Sequence, residues 1–176
     1  MEKKITYLDR NEYNYGPCPA VGEVLKNFDP NNLCFYTRIY DEGKKSIFSD
    51  YLSSIYNIPE KQIILGYGGE DILKQVVHCF LSGKEKQKTL LIPKFSWWYT
   101  FKYDFEAMKE AIRKENPEMV LIASPNNPTG NSLTSEELDQ ILSFISPETV
   151  VVIDEAYASF ANKDTSYIKP LLEKFP

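Results

Sequence analysis

The sequence contains few of the residues that build disulfide frameworks and metal sites. It has one histidine and three cysteines, Cys18, Cys34 and Cys79, and no two cysteines have the CxxC spacing. An odd number of widely spaced cysteines favours a reducing compartment and predicts no zinc site. The lone histidine, His78, lies between apolar positions of a predicted helix, where a surface or packed histidine is the usual interpretation. We therefore expect no bound metal and no triad of the Ser/His/Asp or Cys/His type.

Long apolar runs and an excess of positive charge are also absent. No apolar run approaches the roughly 18 residues of a membrane-spanning helix, and the amino terminus lacks the apolar core of a signal peptide. The formal net charge is −5 without a basic stripe, which argues against a nucleic-acid partner. These absences favour a cytoplasmic enzyme.

The chain does contain a regular alternation of short apolar runs and helical patterns. Its 176 residues are 43% hydrophobic and 26% charged, a balance typical of one globular domain. Short, continuously apolar strands that alternate with helices predict a three-layer α/β/α fold with a mostly parallel sheet. The predicted strands are 62–65, 89–92, 119–123 and 150–153, and the predicted helices are 44–56, 70–81, 105–114 and 136–143.

A rigid loop, SPNNPTGN (124–131), follows the third predicted strand. It contains two asparagines, two prolines and a glycine, and a helix start follows near Thr134. The carboxyl ends of strands are where α/β proteins usually bind ligands. The loop is therefore either a ligand site or a purely structural turn.

A glycine turn, LGYGGED (65–71), joins the first predicted strand to a helix. The first backbone N–H groups of a helix have no partner within it, and Gly68 and Gly69 allow an anion to approach them. The turn thus predicts a phosphate site. The alternative is a tight turn in which Glu70 and Asp71 complement the helix dipole. It is not a Walker A loop, because GxxxxGK[ST] occurs nowhere in the chain.

The fourth predicted strand ends in carboxylates, in VVVIDEAY (150–157). Asp154 lies at the ligand end of the sheet, where it could accept a hydrogen bond from a protonated ring nitrogen of a cofactor. Tyr157, three residues later, could reach the same ligand. A Walker B strand and a simple helix cap at Asp154 are the alternatives.

Clustered aromatic residues follow Pro93 in IPKFSWWYT (92–100). An aromatic face at a strand end can stack on a planar ligand. Packing in the core is the alternative explanation.

Together and in this order, these motifs resemble those of one family. LDRNEYNYGP, GYGGEDIL, IPKFSWW, SPNNPTGN and VVVIDEAYASF are similar to segments of fold-type I, pyridoxal-phosphate (PLP)-dependent aminotransferases of class I/II, nearest to histidinol-phosphate aminotransferase. The resemblance covers nearly the whole chain and corresponds to the amino-terminal half of such an enzyme. It implies an amino-terminal arm at 1–30 and a partial large PLP-binding domain at 31–176. A carboxy-terminal small domain is expected to be absent.

The resemblance implies roles for the residues of these motifs. Asn127 and Tyr157 would donate hydrogen bonds to the phenolic oxygen of the cofactor. Asp154 would pair with the pyridine nitrogen and keep it protonated, so that Asp154 and Tyr157 are the expected catalytic residues. The backbone amides of Gly69 and Glu70 would hold the phosphate.

Three further aromatic positions align with functional residues of the family. Phe95 aligns with the residue that stacks on the cofactor ring, and Trp98 is the second choice. Tyr40 aligns with a tyrosine that reaches the phosphate of the neighbouring subunit's cofactor, which implies a homodimer. Tyr15 aligns with a substrate-side tyrosine in the arm.

The chain also departs from the family pattern. NEYN replaces NENP, GYGG replaces GNGS, and the segment between Trp98 and Phe105 is short. The family's covalently attached lysine follows a serine after the DEAY strand, and none of the lysines after that strand has this context: Lys163, Lys169 and Lys174. We therefore expect this chain alone to be inactive.

The complete protein is expected to be an aminotransferase of amino-acid biosynthesis. It would transfer an amino group between glutamate and a keto or aldehyde substrate, with phosphorylated substrates included. A PLP-dependent decarboxylase of a phosphorylated amino acid, and a non-catalytic remnant of the fold, are the alternatives.

Overall fold

The structure is a computed structural model and describes residues 5–6, 12–35, 43, 46–83, 88–93, 104–161 and 166–175. Helices and strands alternate along the second half of these ranges, as the sequence predicted. The α-helices are α1 (Pro19–Lys26), α2 (Ile47–Tyr56), α3 (Gly69–Leu81), α4 (Phe105–Glu115), α5 (Ser135–Leu142) and α6 (Ile168–Lys174). The strands are β1 (Leu90–Leu91), β2 (Met119–Ala123) and β3 (Val150–Asp154). None of the helices in these ranges has the length and apolar character that a membrane crossing requires.

The three strands form a parallel sheet in the order β1-β2-β3. In the register of β2 with β3, Met119 pairs with Val150 and Ala123 pairs with Asp154. The two strands therefore end side by side, and the segments that follow them start from neighbouring positions. The predicted α/β fold with a parallel sheet is confirmed.

One face of β2 carries the hydrophobic core. Val120 and Ile122 are two residues apart and therefore lie on the same face of β2. They pack with Ile112 of α4 and with Leu138 and Ile141 of α5. All five side chains are buried. Burying each such aliphatic side chain contributes about 1.5–3 kcal/mol, so this cluster holds α4 and α5 against the sheet and stabilises the end of β2 from which the SPNNPTGN loop leaves.

Helix ends follow local capping chemistry. Thr134 Oγ1 accepts a hydrogen bond from the Glu137 backbone N–H at 3.2 Å, and Glu137 Oε2 accepts one from the Thr134 N–H at 2.9 Å. This capping box starts α5 one residue before the predicted position. Ser46 and Ser49 form a second box, which explains why α2 begins at Ile47 and not at residue 44.

The predicted strand at 62–65 is wrong. Residues Glu60–Gln62 form a 3-10 helix, and Ile63 is extended (φ −109°, ψ 127°) without belonging to a sheet. A strand needs a neighbour to satisfy its backbone groups, and no described strand lies beside this one. Ile63 is buried, whereas Ile64 is 74% exposed. The predicted strand at 89–92 is shorter than expected, and α1 and α6 were not predicted.

The apolar face predicted for α2 is exposed. Ile47, Phe48, Tyr51 and Ile55 each keep more than half of their surface accessible to solvent. The periodicity therefore identified an amphipathic helix correctly, but its apolar face does not pack on the core around β2.

Candidate functional site

Two of the predicted site residues meet where β2 and β3 end. Asn127 Nδ2 donates a hydrogen bond to the hydroxyl oxygen of Tyr157 at 3.2 Å. The contact spans 30 residues of sequence, and it follows from the register that brings the ends of the two strands together. An amide N–H and a phenolic O–H therefore lie close enough to donate to a single oxygen atom.

Asp154 is the last residue of β3 and lies beside Ala123. Its carbonyl oxygen accepts a hydrogen bond from the Ser124 N–H at 2.8 Å, and its Oδ1 accepts one from the Ala156 N–H at 3.0 Å. The carboxylate thus closes a short Asx-type turn and does not cap an α-helix. Carboxylate oxygens accept several hydrogen bonds, so this contact is compatible with a further N–H partner.

A cavity of about 280 Å³ opens beside the Asn127–Tyr157 pair. The Phe160 ring lies 6.2 Å from the Tyr157 ring, measured between centroids, and forms part of its wall. Mostly apolar walls with a few convergent polar groups are typical of small-molecule sites. The lining residues are Pro125, Asn126, Asn127, Pro128, Gly130, Tyr157, Phe160 and Ala161. Asp154 is not one of them.

The SPNNPTGN loop is closed by its own backbone. The Asn126 N–H donates to the Asn131 carbonyl at 2.8 Å, and the Gly130 N–H donates to the Asn126 carbonyl at 2.7 Å. Gly130 has φ +72°, a conformation that favours glycine. Asn126 is buried, and no role was predicted for it. Its place in the polar loop directly after an apolar strand is the sequence signal that could have identified it.

The predicted phosphate site lies at the start of α3. Gly68 has φ +93° and precedes the helix, and Gly69 and Glu70 form its first turn. The Glu70 carboxylate pairs with Lys74 at 2.6 Å, one turn along the helix, and this hydrogen bond lowers the pKa of the Glu70 carboxyl. Neither Gly69 nor Glu70 lines the cavity beside Asn127.

Asp71 stabilises the glycine turn. Its Oδ2 accepts hydrogen bonds from the Tyr67 backbone N–H at 3.0 Å and from Gln75 Nε2 at 2.9 Å. The Tyr67 hydrogen bond, followed by that of Gln75, lowers the pKa of the Asp71 carboxyl. Its role in the structure is to fix the turn that precedes α3.

Of the remaining predicted residues, only Tyr15 lies within the described ranges, and it does not line this cavity. Tyr15 is 84% exposed, and its ring lies 5.4 Å from that of Tyr13. Tyr40, Phe95 and Trp98 lie outside the described residues. Within the described ranges, no group of three histidine, cysteine, aspartate or glutamate side chains could hold a metal ion.

Comparison with known proteins shows which family this chain resembles. Residues 94–174 match the family model of aminotransferase class I and II. Histidinol-phosphate aminotransferase 1 of Mannheimia succiniciproducens is 31% identical over an alignment of 192 positions including gaps, which covers 98% of this chain and 50% of the relative. Histidinol-phosphate aminotransferase of Lactococcus lactis is 30% identical over an alignment of 183 positions, which covers 96% of this chain and 48% of the relative.

Solved structures support the fold. Histidinol-phosphate aminotransferase from Sinorhizobium meliloti, in complex with pyridoxal-5'-phosphate, superposes with a TM-score of 0.67 at 19% identity, covering 84% of this chain and 43% of the other. A decarboxylase from Sulfurospirillum multivorans gives a TM-score of 0.59 at 18% identity, covering 89% of this chain and 47% of the other. The chain spans about half the length of the curated relatives that it matches. The predicted resemblance to aminotransferases of class I and II is confirmed: residues 94–174 match the family model, and nearly the whole chain is similar to about half of each histidinol-phosphate aminotransferase.

Proposed function

We propose that this chain supplies the cofactor-binding part of a PLP-dependent aminotransferase of the histidinol-phosphate aminotransferase type. The observation that carries the proposal is the 3.2 Å contact of Asn127 Nδ2 with the Tyr157 hydroxyl at the edge of the cavity. The match of residues 94–174 to the family model of aminotransferase class I and II supports it independently.

The chemistry of these side chains fits PLP. The phenolic oxygen of PLP carries negative charge and accepts hydrogen bonds, which the amide of Asn127 and the hydroxyl of Tyr157 can donate. The pyridine nitrogen needs an anionic acceptor when it is protonated, and Asp154 is a carboxylate at the end of the adjacent strand. The prolines of the loop and Phe160 provide apolar walls beside these hydrogen bonds.

PLP, when bound, supplies an electron sink for the substrate. Asp154 would hold a proton on the ring nitrogen, which makes the sink effective. Asn127 and Tyr157 would stabilise the anionic phenolic oxygen. Their donors are already close together in the structure, so little reorganisation is needed when the cofactor binds.

Other residues would complete the site. We assign the cofactor phosphate to the backbone amides of Gly69 and Glu70, because the ion pair with Lys74 holds the Glu70 carboxylate along the helix and compensates its charge. Phe95 would stack on the ring, and Tyr40 would reach the cofactor of a second subunit in a homodimer. Tyr15, exposed in the arm, would contact substrate.

The substrate assignment follows the names of the relatives. We propose that the full-length protein exchanges an amino group with a phosphorylated partner of the histidinol-phosphate class, as those names suggest. The resemblance to the family implies glutamate as the other partner, and the composition of the sequence favours the cytoplasm. The decarboxylase shares only the fold with this chain, at 18% identity, so it adds no second function.

The test uses the full-length gene product with PLP. We expect visible absorption from bound PLP, and spectral change when glutamate or histidinol phosphate is added alone, because each would drive one half of an amino transfer. Asp154→Asn should slow the change by roughly 10²–10⁴-fold, and Asp139→Asn, whose carboxylate pairs with Lys174 and does not line the cavity, is the matched control. Release of carbon dioxide without amino transfer, or the absence of any PLP absorption, would contradict the proposal.

A further inference from the structure

Ser124 forms hydrogen bonds to the backbone of two segments, the end of β3 before Tyr157 and the segment after the loop that carries Asn127. Its side chain is fully buried. Its N–H donates to the Asp154 carbonyl at 2.8 Å, and its Oγ accepts from the Leu133 N–H at 2.8 Å. Asp154 lies three residues before Tyr157, and Leu133 lies two residues after the loop that carries Asn127. Ser124 therefore links the two segments that supply the hydrogen-bond donors of the site.

A second closure lies inside the loop, around Asn126. Asn126 is 8% exposed, and its Nδ2 donates to Thr129 Oγ1 at 2.8 Å. Thr129 Oγ1 also accepts from the Asn131 N–H at 3.5 Å. Asn127 and Pro128 lie between the two residues joined by the side-chain hydrogen bond. The position of Asn127 thus depends on a contact made by the residue before it and the residue two places after it.

We propose that Ser124, Asn126 and Thr129, here called the loop clasp, are positioning residues that hold the Asn127 amide beside the Tyr157 hydroxyl. The inference rests on the proposed function and adds to it residues that would not touch the cofactor's reacting atoms. Donors that are fixed in advance stabilise charge better than donors that must be ordered at each turnover. Loss of the clasp would leave Asn127 free to sample other positions, and the phenolic oxygen of PLP would lose part of its hydrogen bonding.

Thr129 offers a matched pair of variants. Thr129→Val keeps the shape of the side chain and removes the hydroxyl that accepts from Asn126, whereas Thr129→Ser keeps the hydroxyl. Hydrogen bonds to an anion favour the ionised form. In the full-length protein with PLP, we expect Thr129→Val to raise the pH midpoint of the visible absorption by about half a pH unit or more. Thr129→Ser should retain the wild-type midpoint.

Non-additivity separates positioning from general stability. If the clasp acts through Asn127, then adding Thr129→Val to Asn127→Ala should cause no further change in the midpoint. Thr149→Val is the control, because Thr149 Oγ1 makes a similar part-buried hydrogen bond, to the Pro117 carbonyl at 2.8 Å, at the opposite end of β3. It should leave the midpoint unchanged.

Three outcomes would overturn the inference. If the wild type binds PLP and Thr129→Val has an unchanged midpoint, the role of the loop clasp is rejected but the proposed function is not. The same holds if Thr129→Val shifts the midpoint as much in the Asn127→Ala background as in the wild type. Failure of the wild type to bind PLP would overturn the proposed function and this inference with it. If Thr129→Val does not fold, Ser124→Ala tests the outer closure by the same measurement, with the same expected rise.

Discussion

Ala123 pairs with Asp154 in the parallel ladder of β2 and β3. This register brings the start of the SPNNPTGN loop beside the start of the DEAY segment, because parallel strands that are in register end at the same edge of the sheet. Asn127 lies four residues after Ala123, and Tyr157 lies three residues after Asp154. Their side chains meet by a hydrogen bond. The site is therefore a consequence of strand register as well as of residue type.

Asp154 is expected to hold the proton on the ring nitrogen of PLP. Asp154→Asn keeps the size of the side chain but removes the charge that stabilises the protonated ring, so turnover of the full-length enzyme should fall by roughly 10²–10⁴-fold. Steady-state kinetics with glutamate measure the effect, and Asp139→Asn should have little effect. Turnover close to that of the wild type in Asp154→Asn would remove Asp154 from this role.

Gly66 is expected to be required for the turn before α3. A methyl group at this position would lie 2.6 Å from Ile72 Cγ1 and 3.0 Å from Asp71 Oδ2. Gly66→Ala should therefore destabilise the fold by about 1–3 kcal/mol, as other overpacked positions do. Gly22, inside α1, has no atom within 4 Å of an added methyl group, and Gly22→Ala should be neutral or slightly stabilising. Urea unfolding measures both, and equal stability of the two variants would contradict the prediction.

The full-length protein is expected to be a homodimer. The resemblance to the family implies that Tyr40 serves a neighbouring subunit's site, and the apolar face of α2 is exposed in the single chain. Light scattering coupled to size-exclusion chromatography should give twice the chain mass. A protein that is monomeric at assay concentrations and fully active would refute this prediction.

The polypeptide of residues 1–176, expressed alone, should be poorly soluble and inactive. In the described sheet, β1 and β3 are the edge strands. On one side of β3 (Val150–Asp154), no other described strand pairs with its backbone. Apolar edge strands promote aggregation. Sedimentation and a transamination assay with glutamate test this expectation. A soluble monomer with transaminase activity would mean that the catalytic lysine lies within these residues.

The sequence predicted those elements whose stability is local or follows from a clear apolar pattern. Helices α3, α4 and α5 and strands β2 and β3 appear within about one residue of the predicted bounds. The predicted strand at 62–65 was wrong because strand formation depends on a neighbour, which a local pattern does not reveal. The amphipathic pattern of α2 was correct, but periodicity alone could not show what its apolar face contacts.

The site could be predicted only in part, because a local sequence pattern does not reveal contacts between distant segments. Motif resemblance identified Asn127, Asp154 and Tyr157 as candidates, and the structure places the first and third in contact. The loop clasp was not predicted, because Ser124 acts through a buried hydrogen bond to Leu133 that depends on how the loop closes. Residue type does not reveal such a contact before the path of the chain is known.

The central claim is that Asn127 and Tyr157 act on one oxygen atom of PLP. The most direct test is a pH titration of the visible absorption of PLP bound to the full-length wild type, Asn127→Ala, Tyr157→Phe and the double variant. Each hydrogen bond to a charged group is worth about 1.5–3 kcal/mol, so each single variant should raise the pKa of the phenolic hydroxyl by about 1–2 units. Because both donors share one acceptor, the double variant should differ from the sum of the single variants. Titration curves that coincide for all four proteins would contradict the account.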